Sequence, residues 1–172
     1  EQIPAKSLLD KAPLTWRLMR LLPALIDLPH FEPLQRFLTH DTDLRKRYQL
    51  SERLADLFDQ YQVYRADWLE DWAAGRHQLR NARGETPALS PANCWQAELW
   101  RALLLDVGQE GMAQSRAGVH QRFIEKINSL EQAPSGLPAR VIVFGISSLP
   151  AQALEALAGL ARFSQVLLCV HN

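Results

Sequence analysis

Apolar positions recur every three or four residues through most of the chain, and the last forty residues abandon that spacing. The clearest helical stripe is in residues 50–72, LSERLADLFDQYQVYRADWLEDW. Leu50, Leu54, Leu57, Phe58, Tyr61 and Tyr64 form one apolar line of a helix. Glu52, Asp56, Asp59 and Gln60 occupy the other face, with Arg65 just beyond. That polar face is either a solvated surface or a reading surface.

The same spacing predicts further helices. Residues 1–12 read as an extended approach. A helix follows over 13–27, with Leu14, Leu18, Leu21, Leu22 and Leu25 inward. Pro23 should kink or interrupt it, because proline lacks the backbone donor and clashes with the preceding turn. A short helix spans 31–38, with Pro33 in its first turn. A third covers 41–48, capped by Asp41, and either runs into the next helix or breaks near Gln49. Residues 66–73 form a further piece, whose Trp68 and Trp72 are one turn apart and suit a core. Residues 75–93, GRHQLRNARGETPALSPAN, read as a mobile polar loop carrying Arg76, Arg80 and Arg83, the alternative being a basic loop that contacts DNA. A helix over 95–107 turns Trp95, Leu99, Leu103 and Trp100 inward and ends at Gly108 and Gly111. Another over 119–130 uses Phe123, Ile124, Ile127 and Leu130.

Ala133 to Pro138 then punctuate the chain. RVIVFG (140–145) and QVLLCV (165–170) are continuous apolar runs, and a helix over 150–161 lies between them, capped by Ser147 or Ser148. Strands without polar alternation are buried on both faces, and strand–helix–strand is a parallel unit. The fold class is therefore mainly α: a helical part, 1–132, followed by a strand-helix-strand piece of a parallel α/β layer, 133–172. A chain that begins at Glu1 and closes on a strand reads as a piece of a longer protein.

Nineteen basic and nineteen acidic residues balance, which argues against a broad basic surface that grips nucleic acid without specificity. A local groove for nucleic acid is compatible with that balance. Cys94 and Cys169 are distant and share no metal or redox spacing, so they read as incidental thiols in a reducing compartment. No apolar run approaches a membrane span, and no signal peptide is evident. Phosphate-cradling, serine-hydrolase and zinc-protease motifs are absent, and the five histidines have no metal-pair spacing. The acidic pairs Asp56/Asp59 and Asp67/Glu70 share helix faces, an arrangement that exposed helices carry routinely. Catalytic, cofactor and metal sites are thus expected to be none.

ADLFDQYQVYRADWL (55–69) resembles the gamma chain of exodeoxyribonuclease V, the RecC family. LTWRLMRLLPAL (14–25), SRAGVHQRFIE (115–125) and LPARVIVFGISSLP (137–150) agree with it in order. The resemblance runs nearly end to end and is weakest in 75–93. It implies a helicase-like fold of inactive superfamily 1 type, with a helical subdomain inserted into the first α/β layer. It also implies a non-catalytic part of an ATP-dependent helicase and exonuclease complex, in which ATP and Mg are used by partner subunits. The implied partners are the beta and alpha chains and the 3′-ended single strand of DNA. The implied setting is the bacterial cytoplasm, and the implied task is recognition of the regulatory sequence Chi during recombinational repair. By matched motif, the Chi-reading residues fall on Asp56, Leu57, Asp59, Gln60, Arg65 and Arg116. Leu57 is core by the helical wheel and a site residue by the resemblance. The rival reading is a scaffold that holds the beta chain without reading bases.

Overall fold

The computed structural model describes residues 7–39, 44–146 and 148–170. The chain forms two compact units that divide between Ser115 and Arg116. The boundary at 132/133 read from the sequence separates an all-helical stretch from a strand-helix-strand stretch. The spatial division separates groups of contacts, and it places the last helix of that stretch in the second unit.

The first unit contains α1 (Lys11–Leu25), α2 (Glu32–Leu38), α3 (Arg45–Tyr64), α4 (Ala66–Ala73) and α5 (Cys94–Ala113). A turn precedes α1, in which the Ser7 N–H donates to Asp10 Oδ2 at 2.8 Å and the Leu9 N–H donates to Ser7 Oγ at 3.1 Å. Leu14, Leu18 and Leu22, each four residues apart, are fully buried. The helix passes through Pro23 and ends two residues later. So near its C-terminus the missing donor costs one helical bond and does not break the helix. The cap expected at Asp41 lies outside the described residues. The third and fourth predicted helices are one continuous α3.

The buried side of α3 is Ser51, Leu54, Ala55, Phe58 and Gln62. This is rotated from the apolar stripe: Leu50, Leu57 and Tyr61 are half-buried, and Tyr64 is 62% exposed. Gln62 joins the core because its Nε2 donates to the Leu9 carbonyl at 2.8 Å, which satisfies a buried acceptor. Aromatic rings fill the space between α3, α4 and α5. Phe58 stacks on Trp100 at 5.5 Å, and Tyr61 meets Trp68 and Trp72 edge-on at 5.5 and 5.8 Å. Offset and edge-to-face packing of this kind adds to the area buried. At Gly108 the backbone leaves helical geometry (φ 67°, ψ −178°) and then re-enters it. The break expected there is a kink, and Gly111 remains helical, its missing Cβ letting Val107 and Leu8 approach closely.

Within the polar loop 75–93, residues 76–89 form a hairpin. Gln78 and Ala88 bridge antiparallel, the Leu79 N–H donates to the Pro87 carbonyl at 2.9 Å, and the Leu89 N–H donates to the His77 carbonyl at 2.8 Å. Leu89 is buried. Gly84 turns the tip with a φ of 80°, a region costly for residues with a side chain.

The second unit contains α6 (Arg116–Ser129), β1 (Arg140–Ile146), α7 (Ala151–Leu160) and β2 (Gln165–Val170). The strands pair in parallel, from Arg140 opposite Gln165 to Phe144 opposite Cys169, with an irregularity before Ile146. Helix α7 connects them, so the predicted strand-helix-strand unit is present. Gly145, at φ 74°, supplies the conformation that the irregularity needs. Ile127 of α6 is buried against Gly159 of α7. Arg162 caps α6 by donating to the carbonyls of Ile127 at 2.8 Å and Leu130 at 3.2 Å, acceptors that a helix end leaves unpaired. The expectation that both strand faces are buried is corrected. Ile142, Phe144, Leu167 and Leu168 are exposed, Phe144 by 83%. An all-apolar strand expresses the need for two covered faces, and within this unit α7 and α6 are the helices available. The cap position of α7 is Pro150, with no side-chain cap; Ser147 lies outside the described residues.

Candidate nucleic-acid interface

Helix α3 places Asp56 and Gln60 away from its buried side because they stand out of phase with Leu54, Ala55, Phe58 and Gln62, while Asp59 sits at the margin of that side with its Oδ1 buried. Gln60 is exposed, while Asp56, Leu57 and Asp59 are partly buried. Lys11 on α1 reaches the Asp56 carboxylate at 2.5 Å. The hydrogen bond that Lys11 donates to Asp56 raises the Lys11 pKa above the ordinary lysine value, and the negative fields of Asp56, Glu52 and Asp59 act in the same direction. The ammonium therefore stays charged, and it neutralises part of an acidic edge formed by one side of α3.

Leu57 resolves between its two descriptions. It is half-buried, at the margin of the packed side, where one part of a leucine side chain meets protein and the other meets solvent.

Arg65 has a structural task. It occupies the break between α3 and α4, where its backbone (φ −137°, ψ 44°) is non-helical and its N–H donates to the Tyr61 carbonyl at 2.8 Å. Its guanidinium forks onto the Asp67 carboxylate at 3.0 and 2.8 Å, and also donates to the Arg80 carbonyl. The guanidinium carbon lies 3.6 Å from the Trp68 ring centroid. Arg65 thus joins α4 to the hairpin while about a third of its side chain faces solvent, at 30% exposure. Arg116 is the first residue of α6, exposed, and belongs to the second unit.

The residue that organises the neighbourhood of Arg65 was not singled out from the sequence. Asp71 on α4 is fully buried. It accepts from Arg80 Nε and Nη2 at 2.9 and 2.8 Å, from Gln78 Nε2 at 2.8 Å, and from Arg76 Nε and Nη2 at 3.0 and 2.8 Å. The Arg80 bonds hold its carboxyl well below the usual range. Burial opposes that effect, and Gln78 and Arg76 reinforce it. Two of the three loop arginines that suggested contact with nucleic acid are therefore turned inward to a carboxylate. The indoles of Trp68 and Trp72 complete the anchor by donating to the carbonyls of Arg80 and Gln78 at 2.9 and 3.0 Å. The available sequence signal was an aspartate between two core tryptophans, with arginines five and nine residues later.

A second, partly buried carboxylate, Asp106 on α5, accepts from Arg17 and Arg20 of α1. Burial would raise its pKa, and the two guanidiniums outweigh that, so the net direction is down. Among the described residues no three His, Cys, Asp or Glu side chains converge as a metal site. Cys94 is buried, Cys169 is exposed, and neither forms a disulfide. No helix among the described residues is long and apolar enough to cross a membrane.

A helical unit with a mixed-charge outer edge, and a second unit containing a parallel strand-helix-strand, define the class of fold. Comparison with known proteins gives the family. The model described as "RecC, N-terminal domain" matches residues 1–172, and the chain belongs to that family. The RecBCD enzyme subunit RecC of Escherichia coli is 44% identical over 172 residues, covering 99% of this chain and 15% of that protein. The corresponding subunit of Haemophilus influenzae is 36% identical over 188 residues, covering 100% of this chain and 17% of that protein. That of Mycobacterium tuberculosis is 32% identical over 156 residues, covering 86% and 13%. The chain therefore spans about one seventh of the length of these relatives.

Proposed function

We propose that this chain is a non-catalytic part of the RecC subunit of a RecBCD-type enzyme. In that role it borders the path of the 3′-ended single strand and contributes to recognition of Chi during repair of double-strand breaks by homologous recombination. The relatives' shared name, a subunit of the RecBCD enzyme, supports the assembly. ATP, Mg and the nuclease chemistry then belong to the partner beta and alpha chains, and the setting is the bacterial cytoplasm.

The observation that carries the base-reading role is the outer edge of α3. Asp56 offers a carboxylate acceptor and exposed Gln60 an amide, with Asp59, whose Oδ1 is buried, at the margin between them and the packed side. Carboxylates repel phosphates but accept hydrogen bonds from base amino groups such as cytosine N4. An amide both donates and accepts at a base edge. Lys11 limits the repulsion that two adjacent carboxylates would impose on a passing strand. Such a surface suits sequence sensing more than grip.

The test is substitution in the complete enzyme. Asp59→Ala or Gln60→Ala is expected to impair the Chi response while unwinding continues at its normal rate. An unchanged Chi response across Asp56, Asp59 and Gln60 variants would remove the base-reading role.

A second reading, a scaffold that holds the beta chain, is favoured by one observation. Leu105 on α5 is 84% exposed and Met112 on the same helix is 40% exposed, surface that a protein partner would cover. Crosslinkers placed at Asp56 and Gln60 separate the readings: DNA adducts support the first, and protein adducts the second.

A further inference from the structure

The chain has five tryptophans. Trp72 and Trp100 are buried, Trp68 and Trp95 half-buried, and Trp16 on α1 is 65% exposed. Its partner is Tyr48 on α3, 41% exposed, with ring centroids 5.9 Å apart and planes tilted by 52°. The two rings support each other while their outer faces remain in solvent. They are too close to admit a base between them, since a sandwich requires about 6.8 Å, twice the stacking rise of about 3.4 Å.

The position of the pair points to a ligand. α1 and α3 run side by side in opposite directions, because Lys11 meets Asp56 and Trp16 meets Tyr48. The ring pair and the Lys11–Asp56 pair thus lie on one seam. They are separated by five residues along α1 and eight along α3, or about 8–12 Å at the helical rise. That is the span of two or three nucleotides at about 3.4 Å or more each. Arg20 lies one turn from Trp16, and Arg45 and Glu52 lie one turn on either side of Tyr48. Arg20 remains 62% exposed while it bonds Asp106, and Arg45 is exposed. Aromatic rings set among guanidiniums suit unpaired nucleic acid: bases stack on the rings, and phosphates meet the cations. A protein-docking centre requires a broader apolar patch than two rings among charges.

We propose that Trp16 and Tyr48 form a stacking platform for an unpaired base of the strand whose neighbouring bases face Asp56, Asp59 and Gln60. This proposal rests on the base-reading role given above. The platform would hold the strand in register and be indifferent to sequence, because every base has a π-face.

The test uses the complete enzyme and a 3′-ended single strand carrying 5-iodouracil at successive positions, with adducts mapped after irradiation. The expected result is adducts on Trp16 or Tyr48 a few nucleotides from those on α3 at Asp56–Gln60. Trp16→Ala should lower the yield at the platform roughly fivefold or more, and Trp16→Phe should retain most of it. Trp16 is a surface residue, so its replacement spares the core. Adducts at Asp56–Gln60 without any at the rings would overturn the platform and leave base reading intact. Absence from both places would remove both. Adducts from a photoreactive residue at position 16 to another polypeptide chain, with none to DNA, would make the pair a protein contact.

Discussion

Arg80 closes a fork on Asp71, with its Nε 2.9 Å from one carboxylate oxygen and its Nη2 2.8 Å from the other. The carboxylate has no solvent exposure, while the arginine side chain is 45% exposed. A hairpin of the polar loop is thereby fastened to α4 by a group that must stay ionised to function.

Asp71→Ala is expected to destabilise the 172-residue chain by about 2–4 kcal/mol. Several charge-assisted hydrogen bonds vanish together, although the half-exposed arginines recover water. The hairpin should loosen first. Urea unfolding gives the magnitude, and amide exchange at Leu79 and Leu89 should show the local effect. A loss below about 0.5 kcal/mol would mean that the hairpin holds without its anchor.

Acid should act through the same group. The folded-state pKa of Asp71 is depressed, so its contribution is fully present above about pH 4, the ordinary carboxylate value, and is lost as pH falls below that. Asp106 is depressed in the same direction. Each unit of pH below the ordinary value should remove up to about 1.4 kcal/mol for Asp71. Urea midpoints from pH 7 to pH 3 check this, and Asp71→Asn should flatten the slope.

Arg65 has a structural position, and the family resemblance implies a reading role for it; its variants separate the two. Arg65→Ala should cost about 1–3 kcal/mol through loss of the Asp67 fork and the Trp68 stack. Arg65→Lys keeps the charge and loses the fork, so it should be destabilised to a similar extent. If the Chi response of the complete enzyme falls in Arg65→Ala with no change in stability, the guanidinium acts on DNA.

The second unit depends on a glycine. A Cβ on Gly159 would stand 2.9 Å from Ile127 Cγ2, a branched and buried side chain with little room to turn. Gly159→Ala should therefore cost about 1–2 kcal/mol, despite alanine's better helix propensity. In an Ile127→Ala background the penalty should disappear. Thermal unfolding of the four members of the cycle measures the coupling.

Periodicity located the helices well because the core of a helical unit is paid for by leucines four apart, and Leu14, Leu18 and Leu22 meet that pattern. It left Gln62 unassigned and misassigned Tyr64. A glutamine enters the core only when a particular acceptor, the Leu9 carbonyl, stands opposite, and Tyr64 lies beyond the reach of the packed helices. The hairpin over 76–89 was illegible for the same reason. Its order comes from Asp71, Trp68 and Trp72, which lie before it in the chain, and composition alone shows a mostly polar stretch.

The sequence by itself determined the helical period, the change to two parallel strands, the charge balance and the family, since each is a local pattern or an ordered set of motifs. It also named Asp56, Asp59 and Gln60 as out of phase with the apolar stripe. Only the tertiary structure decided that Arg65, Arg76 and Arg80 serve internal carboxylates and carbonyls, that Lys11 balances Asp56, and that Trp16 meets Tyr48 in solvent. The reason is physical: phase along one helix is fixed by its own residues, whereas a charge or ring is assigned its task by the partner that folding brings beside it.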